Sequence, residues 1–207
     1  MRAVLALLWL LHWLPLPLLA LLGRALGILL WRLAPARRRV ALRNLELCLP
    51  GWNEACRRAL AFEHFQWLGR SLLERGLLWH ASPRRLRRLI HVEGPIDFAD
   101  RHPGPLMWLV PHFLALDVGP AALQLFADRP GCTIYQTQSN AVLDAALRRA
   151  RLRFGKALLF SRREGAKPLM RAIREGRGFF NLPDMDFGRK DAAFVPFFGV
   201  PAATLLA

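Results

Sequence analysis

Residues 105–120 read "PLMWLVPHFLALDVGP". An apolar run of strand length closes at Pro111, and His112 follows at once. Asp117 comes five residues later, the only acid between Asp100 and Asp128. A continuous apolar run suits a fully buried strand of a parallel sheet. "FLALDVGPAAL" then fits a helix. The stretch therefore reads as strand, turn, helix, with one base and one acid at the turn.

The rest of the chain repeats this alternation. "IHVEGP" reads as a short strand, "CTIYQTQ" as a strand, and Asn140 to about Arg153 as a helix. "ALLF" is a strand, "GAKPLMRAI" a helix, "GFFNLP" a strand and "AAFVPFFG" a last extended segment. Strands alternating with helices predict an α/β fold with a mixed, largely parallel sheet flanked by helices. Residues 36–90 look helical: "ARRRVALRNLELCLPG" stops at Pro50 and Gly51, and a second helix starts from Asn53. "PRRLRRLI" forms a short basic helix after Ser82, either a solvated face or a surface drawn to anionic headgroups at about 1 kcal/mol per nearby basic residue.

Before this domain the chain is apolar. No Lys, Arg, Asp or Glu lies between Arg2 and Arg24, and the apolar character resumes from Ala25 to Trp31. That length matches a membrane segment of roughly 20 residues. A cleaved signal peptide fits less well, because the chain continues apolar past Arg24. Pro15 and Pro17 break a straight helix, which leaves a kinked span or a broken helix lying in the interface. Arg32, Arg37, Arg38 and Arg39 follow the segment, so the positive-inside rule keeps the remainder in the cytoplasm. The expected organisation is a membrane anchor over residues 1–35 and a second domain over 36–207.

The 207 residues are 54% hydrophobic and carry a net charge of +15. This excludes a disordered chain and suggests an anionic partner: nucleic acid, a phospholipid surface or an acidic carrier. The three cysteines, Cys48, Cys56 and Cys132, have no C-x-x-C spacing. They read as reduced thiols, with neither a disulfide framework nor a zinc site.

In open α/β sheets, chemistry collects at the carboxyl ends of strands, where His112 falls. Residues five apart on an ideal helix differ by about 140° and share no face. His112 therefore belongs in the turn and Asp117 in the first turns of the helix, so that the carboxylate folds back to the imidazole. An aspartate on one ring nitrogen fixes the tautomer, and the other nitrogen can take a proton from a hydroxyl. This is a general base for acyl transfer to an alcohol without a covalent enzyme intermediate. Among the six histidines only His112 has an acid five residues on.

Other constellations are weaker. Asp184 and Asp186 in "PDMDFG" are spaced to bind Mg²⁺, to hold a sugar hydroxyl, or simply to form an Asx-type turn. "RARLRFGK" supplies Arg149, Arg151, Arg153 and Lys156, for phosphate or for solvent. The sequence contains no P-loop, dinucleotide fingerprint, nucleophile elbow or zinc spacing.

Taken in order, "RRRVALRNLELCLPG", "HFLALD", "YQTQSNAVLDAALRRARLRFGK", "LMRAIREG" and "LPDMDFGRKDAAFVPFFGVPAAT" resemble the late acyltransferases of bacterial lipid A assembly, the lauroyl and myristoyl transferases. The resemblance covers nearly the whole chain. It implies an inner-membrane enzyme with its catalytic domain on the cytoplasmic side. It implies acyl transfer from acyl carrier protein to a hydroxyl of a lipid A precursor, with the carrier thioester as co-substrate, no further cofactor, no metal and no nucleic acid. By resemblance, His112 matches the catalytic histidine and Asp117 its acidic partner. Arg151, Asp184, Asp186, Asn140 and Arg163 match substrate-binding positions, with Arg151 expected on phosphate. Gln136 departs from the family's usual arginine, which is compatible with another acceptor lipid. Family members continue for roughly another third beyond "VPFFGVPAAT", so the domain over 36–207 is expected to be incomplete at its carboxyl end.

Overall fold

The structure is a computed structural model that describes residues 1–184 and 192–205. In order the elements are α1 (Arg2–Leu11), α2 (Leu16–Leu33), α3 (Pro35–Cys48), α4 (Glu54–His80), α5 (Pro83–Leu89), α6 (Phe98–Arg101), β1 (Leu106–Leu109), α7 (Val118–Phe126), β2 (Gly131–Tyr135), α8 (Ala141–Leu152), β3 (Ala157–Ser161), a 3₁₀ turn at Arg162–Glu164, α9 (Ala166–Arg174), β4 (Gly178–Asn181), β5 (Ala192–Phe197) and β6 (Val200–Leu205). They divide into two compact units. One holds Met1–Trp13 with Arg75–Leu182, and the other Leu14–Glu74 with Pro183–Ala207.

The first unit carries a four-stranded sheet in the order β1-β4-β2-β3. All its pairings are parallel, with Leu106 opposite Gly178 and Gly131 opposite both Ala157 and Gly178. The predicted α/β architecture is therefore what forms. Helix α9 packs on one sheet face, where Leu169 and Ala172 meet Cys132, Phe160 and Phe179. Burial of Cys132 pushes its thiol up to about 11, which keeps it protonated. Trp108, Thr133, Leu159 and Phe180 occupy the alternate positions and line a cavity that α7 shares through Leu123 and Gln124.

Three local expectations are corrected. "IHVEGP" is no strand. Ile90 already caps α5, its N–H donating to Leu86 at 2.9 Å. The His91 and Glu93 side chains are 86% and 88% exposed, and Gly94 turns the chain at φ +92°. The segment has no ladder to join and runs as a connector. Second, β1 is not fully buried. It is an edge strand, and Met107 and Leu109 remain 52% and 67% exposed. Third, α7 begins at Val118 rather than near Phe113. Pro120 has no N–H and is tolerated only in a first turn, so Phe113–Leu116 form separate turns instead. Asp117 is accordingly the residue before the helix and not within it.

The second unit is built from α2, α3 and most of α4. Trp31 is packed edge-on against Phe62 and Phe65 at 5.5 and 5.3 Å between ring centres. Gly23 and Gly27 let α2 touch the α4 backbone: a Cβ on Gly69 would sit 2.2 Å from the Gly23 carbonyl oxygen. This unit also holds the antiparallel β5–β6 hairpin. Phe198 and Gly199 at its two-residue turn have φ of 51° and 77°, the twist that matches paired strands.

Part of the positive charge has an internal use. Arg129 donates to the carbonyls of Gly176, Ala99, His102 and Gly104 at 2.6–3.1 Å. Arg87 donates to the Leu125 carbonyl at 2.9 Å, and Arg153 to the carbonyls of Leu78 and Ala81. The basic α5 is thus only partly a solvated face. A guanidinium carries five N–H donors and can close several orphan carbonyls at once.

Candidate active site

Four parallel strands bring their carboxyl ends to one edge of the sheet. His112 follows β1 there and is exposed. Asn140 follows β2, and Arg163 lies in the 3₁₀ turn directly after β3. Asp184 comes three residues past Asn181, the end of β4, and is exposed. It belongs to the second unit. Asp186 lies outside the described residues.

The best-defined cluster forms at the start of α7. The Asp117 side chain is only 14% exposed, and its Oδ1 accepts from Arg151 Nη2 at 2.8 Å and Nε at 3.2 Å. Its other oxygen lies 3.8 Å from Arg75 Nε. Two guanidiniums therefore flank one carboxylate, leaving a local excess of one positive charge beside the strand end. Arg151 reaches Asp117 from the last turn of α8. Its own carbonyl accepts from Gln124 Nε2 at 3.2 Å, which ties α8 to α7. Gln124 Oε1 is buried and has no partner among the described residues. A cavity of about 60 Å³ runs between α7 and the sheet, with Gln124 and Arg151 in its wall and otherwise mostly apolar lining. A second cavity, of about 20 Å³, holds Asp117 and shares Gln124 and Arg151 with the first.

The remaining candidates have local structural duties. Asn140 is the N-cap of α8, accepting from Leu143 N–H at 3.0 Å. The preceding loop is tied down by Gln138 N–H donating to Asp144 at 2.8 Å. Tyr135 ends β2 under the Arg148 guanidinium, 5.0 Å from the ring centre, and its hydroxyl accepts from the same arginine. Arg163 is exposed. The structure thus joins Asp117 to Arg151, which the sequence kept as separate motifs. It adds Arg75 and Gln124, which sequence reasoning missed. Arg75 lies on a different helix, forty-two positions before Asp117, and no local pattern connects them.

The sequence model of the family described as "Bacterial lipid A biosynthesis acyltransferase" matches residues 1–207. The chain belongs to that family. Among the lipid A acyltransferases it is similar to, one from Haemophilus influenzae, a "Lipid A biosynthesis acyltransferase", is 34% identical over 190 residues, 91% of this chain and 60% of that protein. The Escherichia coli K12 "Lipid A biosynthesis lauroyltransferase" is 34% identical over 199 residues, 95% of this chain and 63% of the relative. The "Lipid A biosynthesis myristoyltransferase" of the same organism is 34% identical over 191 residues, covering 91% and 57%. The chain therefore spans about three-fifths of the length of these relatives.

Proposed function

We propose that the protein is a membrane-bound acyltransferase. It moves a fatty acyl chain from an acyl carrier protein thioester to a hydroxyl of a lipid A precursor, at the cytoplasmic face of the inner membrane. The observation that carries this reading is the Asp117–Arg151–Arg75 cluster beside the strand end that bears His112, in a chain of this family. In the proposed reaction one imidazole nitrogen of His112 accepts the proton of the acceptor hydroxyl as its oxygen attacks the thioester carbonyl. The carbonyl π electrons move to oxygen. Collapse of the tetrahedral intermediate breaks the C–S bond, and the departing thiolate takes the proton from the imidazolium. Asp117 orients the imidazole, and Arg151 holds Asp117 through two N–H donors.

The open guanidinium edges of Arg151 and Arg75 suit phosphate, on the lipid acceptor or on the carrier's phosphopantetheine arm. Asn140, Arg163, Asp184 and Asp186 are proposed acceptor contacts, and no metal or further cofactor is invoked. The basic surface complements an acidic carrier. A second reading keeps the chemistry and changes the acceptor to a glycerophospholipid or an aminolipid, because Gln136 replaces the family's usual arginine. Mass spectrometry of lipid A and phospholipids decides between them, comparing a deletion strain complemented with the parental gene or with His112→Ala. Loss of one lipid A acyl chain, restored by the parental gene alone, is the expected result. An unchanged lipid profile refutes the acyltransferase reading.

A further inference from the structure

The amino-terminal helices are packed in a way that decides how they meet a bilayer. One face of α1 is buried: Leu8 packs with Trp79 and Ala150, and Leu5 joins them. A Cβ on Gly76 would lie 2.4 Å from the Leu8 carbonyl oxygen, so helix and unit touch backbone to backbone. The opposite face is bare. Val4, Leu7 and Leu10 are 52%, 51% and 58% exposed, with Trp9 at 48% and Trp13, just beyond the helix, at 67%. Ten residues reach about 15 Å, half the hydrocarbon thickness. Helix α1 is thus too short to cross, and it is fastened to the sheet-bearing unit.

Helix α2 is long and apolar enough to cross, with 18 residues and a mean hydropathy of 1.7. Its packing argues otherwise. Its buried stripe is Leu19, Gly23, Gly27 and Trp31. A Cβ on Gly27 would lie 2.4 Å from Gln66 Cα, and one on Gly23 2.5 Å from Arg70 Cα. The helix laid against α2 is therefore α4, which carries Arg58, Glu63, Arg70 and Glu74. Arg24 is exposed at the midpoint of α2 itself. A spanning α2 would take these charges to hydrocarbon depth, where charge is costly and rare.

We infer that the amino-terminal segment is monotopic: α1 and α2 each lie in the lipid interface rather than across it. The amino terminus then stays on the same side of the membrane as the sheet. The occupant of the bare α1 face is the bilayer surface, with leucines and tryptophans at the headgroup–acyl boundary. Charge complementarity favours anionic headgroups. Arg2 lines an open groove of about 570 Å³ together with Arg149, Arg153 and His80, with Trp79 also in its wall. This inference rests on the reading that the protein works at a membrane, and it replaces a single transmembrane span with one-sided attachment.

Cysteine accessibility tests it. One version of the full chain carries a short uncharged tag with a single cysteine ahead of Met1. A second carries Glu175→Cys, an exposed position at the end of α9. Both use a Cys48→Ser/Cys56→Ser background. Cys132, 2% exposed, stays in place, and its resistance to labelling reports a folded chain. A membrane-impermeant maleimide is added to right-side-out and to inside-out vesicles. Both reporter cysteines are expected to label from the same face, at least tenfold faster than from the other. Labelling from opposite faces overturns one-sided attachment while leaving the membrane reading intact. Recovery of the intact chain in the soluble fraction without detergent overturns both.

Discussion

Two arginines of the sheet-bearing unit show how differently one side-chain type is used. Arg129, just before β2, donates to four backbone carbonyls. Arg151 directs two donors at a single carboxylate, Asp117, beside a cavity and a strand end. The first arrangement satisfies acceptors that the chain would otherwise bury unpaired. It holds the fold and has little left for a ligand. The second leaves one edge of the fork open and couples it to the acid expected to orient His112. Both residues sit in the same arginine-rich composition, so net charge alone distinguishes neither. The contrast also tempers the reading of the +15 charge, since part of it never faces a partner.

The largest effect that can break this contrast is expected at His112. His112→Ala should lower transfer by about 10²–10⁴-fold, the usual contribution of a positioned general base, with thermal stability unchanged. Transfer assays with separately varied donor and acceptor check it, and parental rates in a folded variant would remove the base from the mechanism. At the other pole, Arg129→Ala should cost about 3 kcal/mol of stability, because several carbonyls lose a charged donor together. For a chain of this size that is roughly 6–12 °C in Tm, readable by calorimetry. Activity at a temperature where the variant is folded should be retained. A catalytic loss without a stability loss would erase the distinction between the two arginines.

Arg151→Lys should fall between these. A point charge cannot reproduce two directed N–H bonds to one carboxylate, and a loss of roughly tenfold is expected, from one charge-assisted hydrogen bond. If Arg151 acts by orienting Asp117, kcat falls; if it holds phosphate, KM for one substrate rises. Kinetics unchanged for both substrates would make Arg151 structural, like Arg129. The smallest effect concerns an exposed pair. Arg43→Ala removes a 2.7 Å bridge to Glu46 between side chains that are 62% and 54% exposed, and no measurable change in Tm is expected. A clear drop would show that surface arginines contribute more than their solvent screening allows.

Much of this was legible in advance because it is local. Alternating apolar runs and turn residues marked all four strands of the parallel sheet, and the helices at α3, α4, α5, α8 and α9. His112 was placed at a strand end by Pro111 alone. The failures were also local rules outweighed by something else. Ile90 and Val92 suggested a strand, but pairing needs a neighbour, which only the sheet order can supply. The helix after His112 starts later than the apolar pattern of "FLALDVGPAAL" suggests, because Pro120 limits where its first turn can begin.

What the sequence determined by itself, then, is most of the elements, the family, and the types of residue available for chemistry, since periodicity, proline and ordered motifs act over a few positions. Only the tertiary structure decided which partners meet. Arg75, Gln124 and Arg151 come from three helices, Asp117 precedes the second of them, and no one sequence motif joins α4, α7 and α8. Their convergence follows from how the carboxyl-terminal end of α4, α7 and α8 come together within the sheet-bearing unit. The same holds for the amino terminus. Composition makes α1 and α2 apolar, but whether they cross a bilayer depends on what their other faces touch. Packing against Trp79 and Ala150, and against the charged α4, bears on that question where hydropathy alone does not, because burial is a property of the whole fold and not of any window along the chain.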